Sequence, residues 1–369
     1  MNQDPLFRPF DCKTLRLANR VVMAPMTRSM SPGGVPGAQV AAYYRRRAEA
    51  GVGLIITEGT TINRPGASGD AAIPNFHAPA SLEGWARVVE QVHQAGGRIA
   101  PQLWHQGMAR KAGTGPHPEA ASEGPSGLSA TGEKVGTAMT EADIAATVAA
   151  FAEAAAQAKA IGFDAVELHG AHGYLIDQFF WAGSNQRTDG YGGDLVKRTR
   201  FGSEVIRAVR SRVGPEFPII LRFSQWKLQD YDARLAETAE ELAQFLKPLT
   251  EAGVDIFHCS TRRFWEPEFQ GSDLNLAGWT KRLTGHPTIT VGSVGLQGDD
   301  FIRGFRAKPD ALAEVADLRE LDRRLANEEF DLVAVGRALL QDPAWAAKIR
   351  EGRTGELEAF SKQAFATLS

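Results

Sequence analysis

Residues 140–169, TEADIAATVAAFAEAAAQAKAIGFDAVELH, contain one helix, one glycine stop and one strand. Thr140 and Asp143 have the spacing of a helix-capping box, with Asp in place of the usual Glu or Gln. Four apolar residues then recur at i, i+4, i+7 and i+11, which predicts a helix with one apolar face. They are Ile144, Val148, Phe151 and Ala155. The glycine at 162 predicts the end of this helix, and Ala165–His169 has the short apolar run of a buried parallel strand.

The same unit recurs along the whole chain. Leu242, Phe245, Leu246 and Leu249 form a second apolar helix face, and Gly253 is its predicted C-cap. Eight apolar runs are predicted to be strands: Arg20–Ala24, Gly53–Glu58, Arg98–Leu103, Ala165–His169, Pro218–Phe223, Ile256–Ser260, Thr288–Gly292 and Leu332–Gly336. Eight β–α units in series predict a closed (β/α)8 TIM barrel rather than an open doubly wound sheet. The sequence also lacks the G-x-G-x-x-G turn of a dinucleotide-binding open sheet, and it has no P-loop.

We predict one domain over residues 1–369, with three additions to the barrel. Leu6–Leu17 is predicted to form a hairpin that closes the barrel floor. Residues 105–139 are rich in Gly, Pro, Ser and Thr and are predicted to form a long loop over the barrel mouth. Residues 297–329 carry charged helical sequence and are predicted to be an insertion before the last strand.

Composition excludes several classes of protein. The chain has 41 Lys+Arg and 44 Asp+Glu and no basic block, so neither nucleic acid nor a membrane surface is an expected partner. Cys12 and Cys259 are too few for a disulfide framework or a structural zinc site. The first ten residues have no apolar core of a signal peptide, and no helix candidate is apolar enough to span a bilayer. A soluble cytoplasmic protein, either a monomer or a homodimer, is expected.

In a barrel of this type, chemistry takes place where the strands end. After strands seven and eight come Gly292, Ser293, Gly336 and Arg337. Glycines allow backbone N–H groups to approach an anion, and arginine adds a charged fork, so these residues predict a phosphate site. The alternative is that the glycines only form tight turns and Arg337 pairs with an acidic neighbour.

The fourth strand ends in His169-x-x-His172-x-Tyr174. The two histidines are consistent with metal ligands that need a third partner, with a structural pair, or with a pair that polarises a carbonyl beside a phenolic acid. The spacing alone does not choose among these three hypotheses.

Five segments together resemble the Old Yellow Enzyme family of FMN-dependent ene-reductases. They are residues 19–28 (NRVVMAPMTR), 102–107 (QLWHQG), 169–175 (HGAHGYL), 185–193 (NQRTDGYGG) and 335–337 (VGR). Each motif is modest evidence, but five in the order of the family are specific. The similarity extends from about Leu6 to near Arg350, and the family has the fold predicted from the strands.

The resemblance implies an FMN held non-covalently at the barrel mouth and reduced by NADH or NADPH. By motif match, Ala24, Pro25, Met26 and Thr27 would line the isoalloxazine, with the Thr27 hydroxyl on its C4 carbonyl. The other implied contacts are Gly59 packed closely against the flavin, Gln102 on the pyrimidine edge, Arg222 near N1 and the C2 carbonyl, and Gly292, Ser293, Gly336 and Arg337 on the phosphate.

The resemblance also implies the reaction, which is reduction of the C=C bond of activated alkenes such as enones, nitroalkenes and maleimides. Hydride would pass from flavin N5 to the alkene. His169 and His172 would donate hydrogen bonds to the substrate oxygen, and Tyr174 would protonate the α-carbon. Trp104 would form a wall of the substrate pocket, and no metal is implied. Two rival functions are a metal-dependent hydrolase or lyase on the same barrel and a non-catalytic flavoprotein.

Overall fold

The structure, a computed structural model, describes residues 4–129, 131–297 and 313–369. Its strands are β1 (Phe10–Cys12), β2 (Leu15–Leu17), β3 (Val21–Met23), β4 (Leu54–Thr61), β5 (Ile99–Trp104), β6 (Glu123–Gly124), β7 (Thr137–Ala138), β8 (Val166–His172), β9 (Ile219–Lys227), β10 (Ile256–Ser260), β11 (Thr288–Val291), β12 (Leu296–Gln297), β13 (Glu314–Val315) and β14 (Leu332–Val335). Its helices are α1 (Ala38–Glu49), α2 (Pro79–Gln94), α3 (Glu141–Ala160), α4 (Leu175–Phe180), α5 (Leu195–Arg198), α6 (Arg200–Val213), α7 (Ala239–Ala252), α8 (Leu276–Thr284), α9 (Arg319–Ala326), α10 (Arg337–Gln341) and α11 (Trp345–Arg350).

Eight parallel strands close into a barrel in the order β3, β4, β5, β8, β9, β10, β11, β14, so the predicted (β/α)8 fold is confirmed. The helix of the opening stretch begins as predicted, because Thr140 and Asp143 form a reciprocal capping box. Gly253 caps α7 in the left-handed conformation. No helix among the described residues is long and apolar enough to cross a membrane.

Three strands extend by three or more residues beyond their predicted ends. β4, β8 and β9 reach Thr61, His172 and Lys227, where the apolar patterns stop at Glu58, His169 and Phe223. The pairing of β4 with β5 and that of β8 with β9 shift register, after Ile56 and after Gly170. A bulge of this kind lets a ladder continue past the apolar run and changes the direction of the side chains beyond it. The bulge in β8 lies immediately before His172.

The predicted N-terminal hairpin is present as the antiparallel pair β1–β2. Phe10, Leu15 and Leu17 are buried against inward-facing residues of the barrel strands. The hairpin therefore fills the barrel interior from its floor, which leaves the opposite, carboxyl end of the strands for a ligand.

The predicted loop over residues 105–139 leaves β5 at the mouth and has little regular structure beyond the short β6–β7 pair. The Arg110 guanidinium donates to the carbonyls of Ser68, Thr114, His117 and Ala120, which ties the loop together. Of the predicted 297–329 insertion, residues 298–312 lie outside the described residues. The remainder includes β13, which pairs with β12, and α9, the helix that precedes β14.

Candidate active site

A cavity of about 160 Å³ opens where β3, β11 and β14 end. Eight of the predicted cofactor-binding residues line it, together with Val291, Val294, Leu296 and Ala334. The eight are Ala24, Pro25, Met26, Arg222, Gly292, Ser293, Gly336 and Arg337. Residues separated by up to 313 positions in the sequence are thus brought to one place by barrel closure.

The backbone at this cavity is shaped for close approach. Ser293 has φ +51°, a left-handed conformation that is uncommon for a residue other than glycine. A Cβ on Gly292 would lie 2.7 Å from the carbonyl oxygen of Thr261, so a side chain there is excluded. A Cβ on Gly336 would make ordinary van der Waals contacts with Met26 Sδ at 3.6 Å and Ala24 Cβ at 3.8 Å. Such turns expose backbone N–H groups to anions.

Two arginines give the cavity its charge. Arg337 donates to Ser293 Oγ at 3.3 Å, and burial lowers its pKa to about 10. Arg222 is 7% exposed, and burial lowers its pKa as well. Its Nη2 donates to Ser260 Oγ at 3.3 Å, whereas its Nε is buried and has no hydrogen-bond partner among the described residues. A buried cation with an unpartnered donor favours an anionic or carbonyl ligand in this space.

The other three predicted cofactor residues lie outside this cavity. Thr27 follows on the same loop and is exposed. A Cβ on Gly59 would lie 2.5 Å from Trp104 Cε3, so in the structure this glycine makes room for the indole. Gln102 Nε2 donates to Glu167 Oε1 at 2.7 Å inside the barrel, so one of its amide hydrogens is already engaged within the protein.

A second group of predicted residues forms an aromatic cluster at the ends of β5 and β8. The Tyr174 ring lies edge-on to Trp104, with centroids 4.8 Å apart, and edge-on to His169 at 4.9 Å. The rings of His169 and His172 are 5.1 Å apart. His169 is paired in register with Arg222 on β9, which places this cluster beside the cationic cavity. All four residues predicted for substrate binding are therefore brought together.

Both histidines are neutral at neutral pH. Burial, with Arg222 as a further cause, holds the pKa of His169 and that of His172 well below the usual 6.5. His169 Nδ1 accepts the Ala171 backbone N–H at 3.3 Å, so the proton of the neutral ring is on Nε2. His169 is thus a hydrogen-bond donor through Nε2.

The His172–Tyr174 turn is held in an uncommon conformation. His172 and Gly173 have φ +66° and +80°. Asp177 Oδ2 accepts the Gly173 N–H at 2.6 Å, and Ser224 Oγ accepts the His172 N–H at 3.0 Å. Asp177 also pairs with Lys227 at 2.8 Å, and both side chains are fully buried. The Asp177 carboxylate therefore connects this turn to the end of β9, because one oxygen accepts from Gly173 and the other from Lys227.

Glu167, His258 and Trp226 also belong to this region, although no sequence motif indicated them. His258 is the register partner of Arg222 on the neighbouring strand, and its Nδ1 lies 2.6 Å from Glu167 Oε2 inside the barrel. Trp226 stacks on His172 with centroids 4.6 Å apart. Side-chain alternation could have indicated Glu167, because it lies two residues before His169 and so faces the same side of its strand. His258 likewise lies two residues before Ser260, the last residue of its predicted strand. Trp226 lies in the part of β9 that extends beyond the predicted strand end at Phe223, so the apolar pattern did not include it.

The metal-ligand hypothesis for the histidines finds no third ligand in the described ranges. Within residues 4–129, 131–297 and 313–369, no group of three or more His, Cys, Asp and Glu side chains could hold a metal ion. His172 Nε2 instead lies 2.8 Å from Ser260 Oγ, and His169 Nδ1 accepts a backbone N–H.

The sequence and the barrel both have counterparts among known proteins. The sequence profile of the NADH:flavin oxidoreductase / NADH oxidase family matches residues 5–356. The chain belongs to this family. It is therefore a member of the Old Yellow Enzyme family of FMN-dependent, NAD(P)H-using oxidoreductases, which confirms the predicted family, enzyme class and cofactor.

Individual relatives of this Old Yellow Enzyme family member differ in length. It is 34% identical to the NADH oxidase of Thermoanaerobacter brockii over 93% of this chain, yet it spans only 50% of that protein. It is 34% identical to an NADPH dehydrogenase of Bacillus cytotoxicus, covering 92% of this chain and 90% of that protein. The structure of morphinone reductase in complex with tetrahydroNAD superposes with a TM-score of 0.80 at 31% identity, over 98% of this chain and 93% of that chain.

The residues present fit FMN. The small cavity with its glycine turns and Arg337 suits a phosphate, and the unpartnered Arg222 Nε suits an electron-rich part of the ring system. Ala24, Pro25 and Met26 supply an apolar edge to the same space.

Replacement of Arg222 is expected to weaken FMN binding by about 10- to 100-fold, the range for loss of a charged hydrogen-bonding group. The fold should persist in Arg222→Ala, because this side chain donates one hydrogen bond, to Ser260, among the described contacts. FMN titration followed by flavin fluorescence measures the affinity. Arg222→Lys keeps the charge, so its FMN affinity should lie between that of the wild type and that of Arg222→Ala. Full FMN occupancy with an unchanged midpoint potential in Arg222→Ala would contradict the assignment.

The pH dependence of the site follows from two shifts of opposite sign. Burial raises the pKa of Tyr174 to about 12, so its acid form is lost only as the pH rises through that value. The lowered pKa values of His169 and His172 keep both rings neutral down to well below pH 6.5. The rate of substrate reduction should therefore be flat from about pH 7 to about pH 10.5, where an ordinary phenol is mostly ionised. A pH-jump stopped-flow series tests this, and a fall with a midpoint inside that range would contradict it.

Proposed function

We propose that this protein is an ene-reductase, which uses NADH or NADPH to reduce the C=C bond of activated alkenes such as enones, nitroalkenes and maleimides. The observation that carries the proposal is the cluster of Trp104, His169, His172 and Tyr174 beside the cavity that contains Arg222. FMN, when bound, takes hydride from NAD(P)H and supplies it to the β-carbon of the alkene.

The two histidines bind the electron-withdrawing group of the substrate. As neutral imidazoles each donates one N–H, and two donors that converge on a carbonyl or nitro oxygen stabilise the negative charge that develops there. Burial strengthens this effect, because the site has little water to screen it. Arg222 adds a fixed positive charge next to His169 through the β8–β9 pairing.

Tyr174 supplies the proton to the α-carbon. It is protonated at neutral pH, because burial raises its pKa to about 12. The ring is fixed by edge-on contacts with Trp104 and His169, so the hydroxyl has a defined position relative to the histidine donors. A positioned acid beside an oxygen site is what protonation of an enolate-like carbon requires.

Trp104 forms a wall of the proposed substrate pocket. Its side chain is 3% exposed and lies nearly parallel to His169, with centroids 6.2 Å apart. Its Nε1 is buried without a hydrogen-bond partner among the described residues. The flat indole therefore limits the height of the pocket and favours planar alkenes.

Steady-state turnover tests the proposal against a flavoprotein that only binds FMN. The FMN-saturated protein is incubated without oxygen with NADPH, or with NADH, and cyclohexenone. We expect pyridine-nucleotide oxidation that depends on the enone, with one cyclohexanone formed for each nucleotide consumed. Flavin reduction without any product from an enone, a nitroalkene or a maleimide would favour the rival.

A further inference from the structure

Ser260 ends β10 at a position between the two parts of the site. Its Oγ accepts a hydrogen bond from Arg222 Nη2 at 3.3 Å and lies 2.8 Å from His172 Nε2. Ser260 is 2% exposed. The hydroxyl therefore joins the arginine of the cofactor cavity to a histidine of the substrate site, although these residues lie on three different strands.

The hydrogen-bonding capacities of the three groups determine where the protons lie. A guanidinium only donates, so Arg222 uses an acceptor lone pair of Ser260 Oγ. Within the described part of the chain, the remaining group in contact with this hydroxyl is His172 Nε2. Of these two groups, only His172 Nε2 can accept the hydroxyl hydrogen, and it does so when it is unprotonated. In a neutral imidazole, the single proton is then on Nδ1.

We propose that Ser260 is a positioning residue that holds His172 in the Nδ1–H tautomer, so that this nitrogen donates to the substrate oxygen, and that it links the substrate site to Arg222. The two histidines then donate through different nitrogens, His169 through Nε2 and His172 through Nδ1. This inference rests on the proposed function for the identity of the oxygen ligand.

Trp226 keeps the His172 ring in the orientation that this assignment needs. Its Nε1 donates to the Ser260 carbonyl oxygen at 3.1 Å, and its ring stacks on the imidazole at 4.6 Å with a 33° tilt. A ring flip that exchanged Nδ1 and Nε2 would break the Ser260 contact and would have to occur against this stacked indole.

The wild-type protein provides the first test through its histidine NMR signals. Long-range ¹H–¹⁵N spectra of the ¹⁵N-histidine-labelled, FMN-saturated protein report the tautomer of each ring, and the His172 signals are assigned by their absence in His172→Ala. We expect an Nδ1–H tautomer for His172 and an Nε2–H tautomer for His169. An Nε2–H tautomer for His172 would overturn the proposal. This readout does not need turnover, so it stays informative if no alkene is reduced.

A variant of the serine provides the second test. Ser260→Ala, with FMN saturating, should give His172 a mixture of tautomers and weaken the binding of a phenolic ligand about 3- to 10-fold, the range for one neutral hydrogen bond. Ser203→Ala is the matched control. Ser203 lies on the outer helix α6 and is also 2% exposed, and its substitution likewise removes one hydrogen bond, the one to the Pro248 carbonyl. It should leave the tautomer and the phenol affinity unchanged.

A double-mutant cycle separates action through His172 from a general structural effect. In the His172→Ala background, Ser260→Ala should weaken phenol binding no further, because the ring on which it acts is gone. Additive losses of affinity, or an unchanged Nδ1–H signal in Ser260→Ala, would overturn the proposal.

Discussion

Tyr174→Phe is expected to slow the reoxidation of the reduced enzyme by cyclohexenone by about 10²–10⁴-fold, the usual contribution of a general acid. Reduction of the enzyme by NADPH should be unchanged. The substitution removes one hydroxyl, after which the proton for the α-carbon has to come from water or a less well-placed acid.

The same substitution should leave stability and FMN affinity almost unchanged. The phenyl ring keeps its edge-on contacts with Trp104 and His169, and only the hydroxyl group is lost. Thermal unfolding and FMN titration of Tyr174→Phe are therefore internal controls for the kinetic result.

The choice of substrate makes the Tyr174 experiment specific. A nitroalkene should be affected less than an enone, because the nitronate formed after hydride addition is a stable anion that can be protonated later. Stopped-flow traces in which reduction by NADPH is impaired and reoxidation by the enone is intact would exclude Tyr174 from the mechanism.

His169→Ala and His172→Ala should each lose about 2.7–4 kcal/mol of transition-state stabilisation, by comparison with removal of one oxyanion-hole donor. That corresponds to a rate of enone reduction slower by about 10²–10³-fold. Phenolic ligands, which resemble the substrate enolate, should bind more weakly to both variants. Kinetics of reoxidation and phenol titration of the bound flavin measure the two effects.

His93→Ala offers a matched control for the histidine pair. His93 lies at the end of α2, on the outside of the barrel, and its Nε2 is 2.9 Å from Asp164. This variant should reduce the enone at the wild-type rate. If phenol bound to His169→Ala and His172→Ala as tightly as to the wild type, the pair would not be the oxygen site.

The barrel could be predicted from the sequence because its signals are local. Each of the eight strands has a short apolar run, and glycine stops and a capping box mark the helices around them. The hairpin at the floor was also predictable, since Phe10, Leu15 and Leu17 alternate with more polar residues as in a half-buried strand. Chain order then fixes the strand order, because parallel neighbours connected by helices follow one another around a barrel.

The site was less predictable, because its details depend on contacts between distant residues. The bulges that extend β4, β8 and β9 have no signature in an apolar pattern, so Trp226 and Lys227 lay beyond the predicted strand. The buried pair of Asp177 and Lys227 joins two segments 50 residues apart. Gln102 was assigned by motif to the cofactor, and its contact with Glu167 appears only when the barrel closes.

The proposed function is the transfer of reducing equivalents from NAD(P)H to an activated alkene. Its most direct test is a two-stage anaerobic experiment with the FMN-saturated enzyme, in which one equivalent of NADPH first bleaches the flavin absorbance. Cyclohexenone is then mixed in, and we expect the flavin absorbance to return with formation of one equivalent of cyclohexanone. A flavin that is bleached by NADPH and stays bleached with the enone, with a nitroalkene and with a maleimide would contradict it.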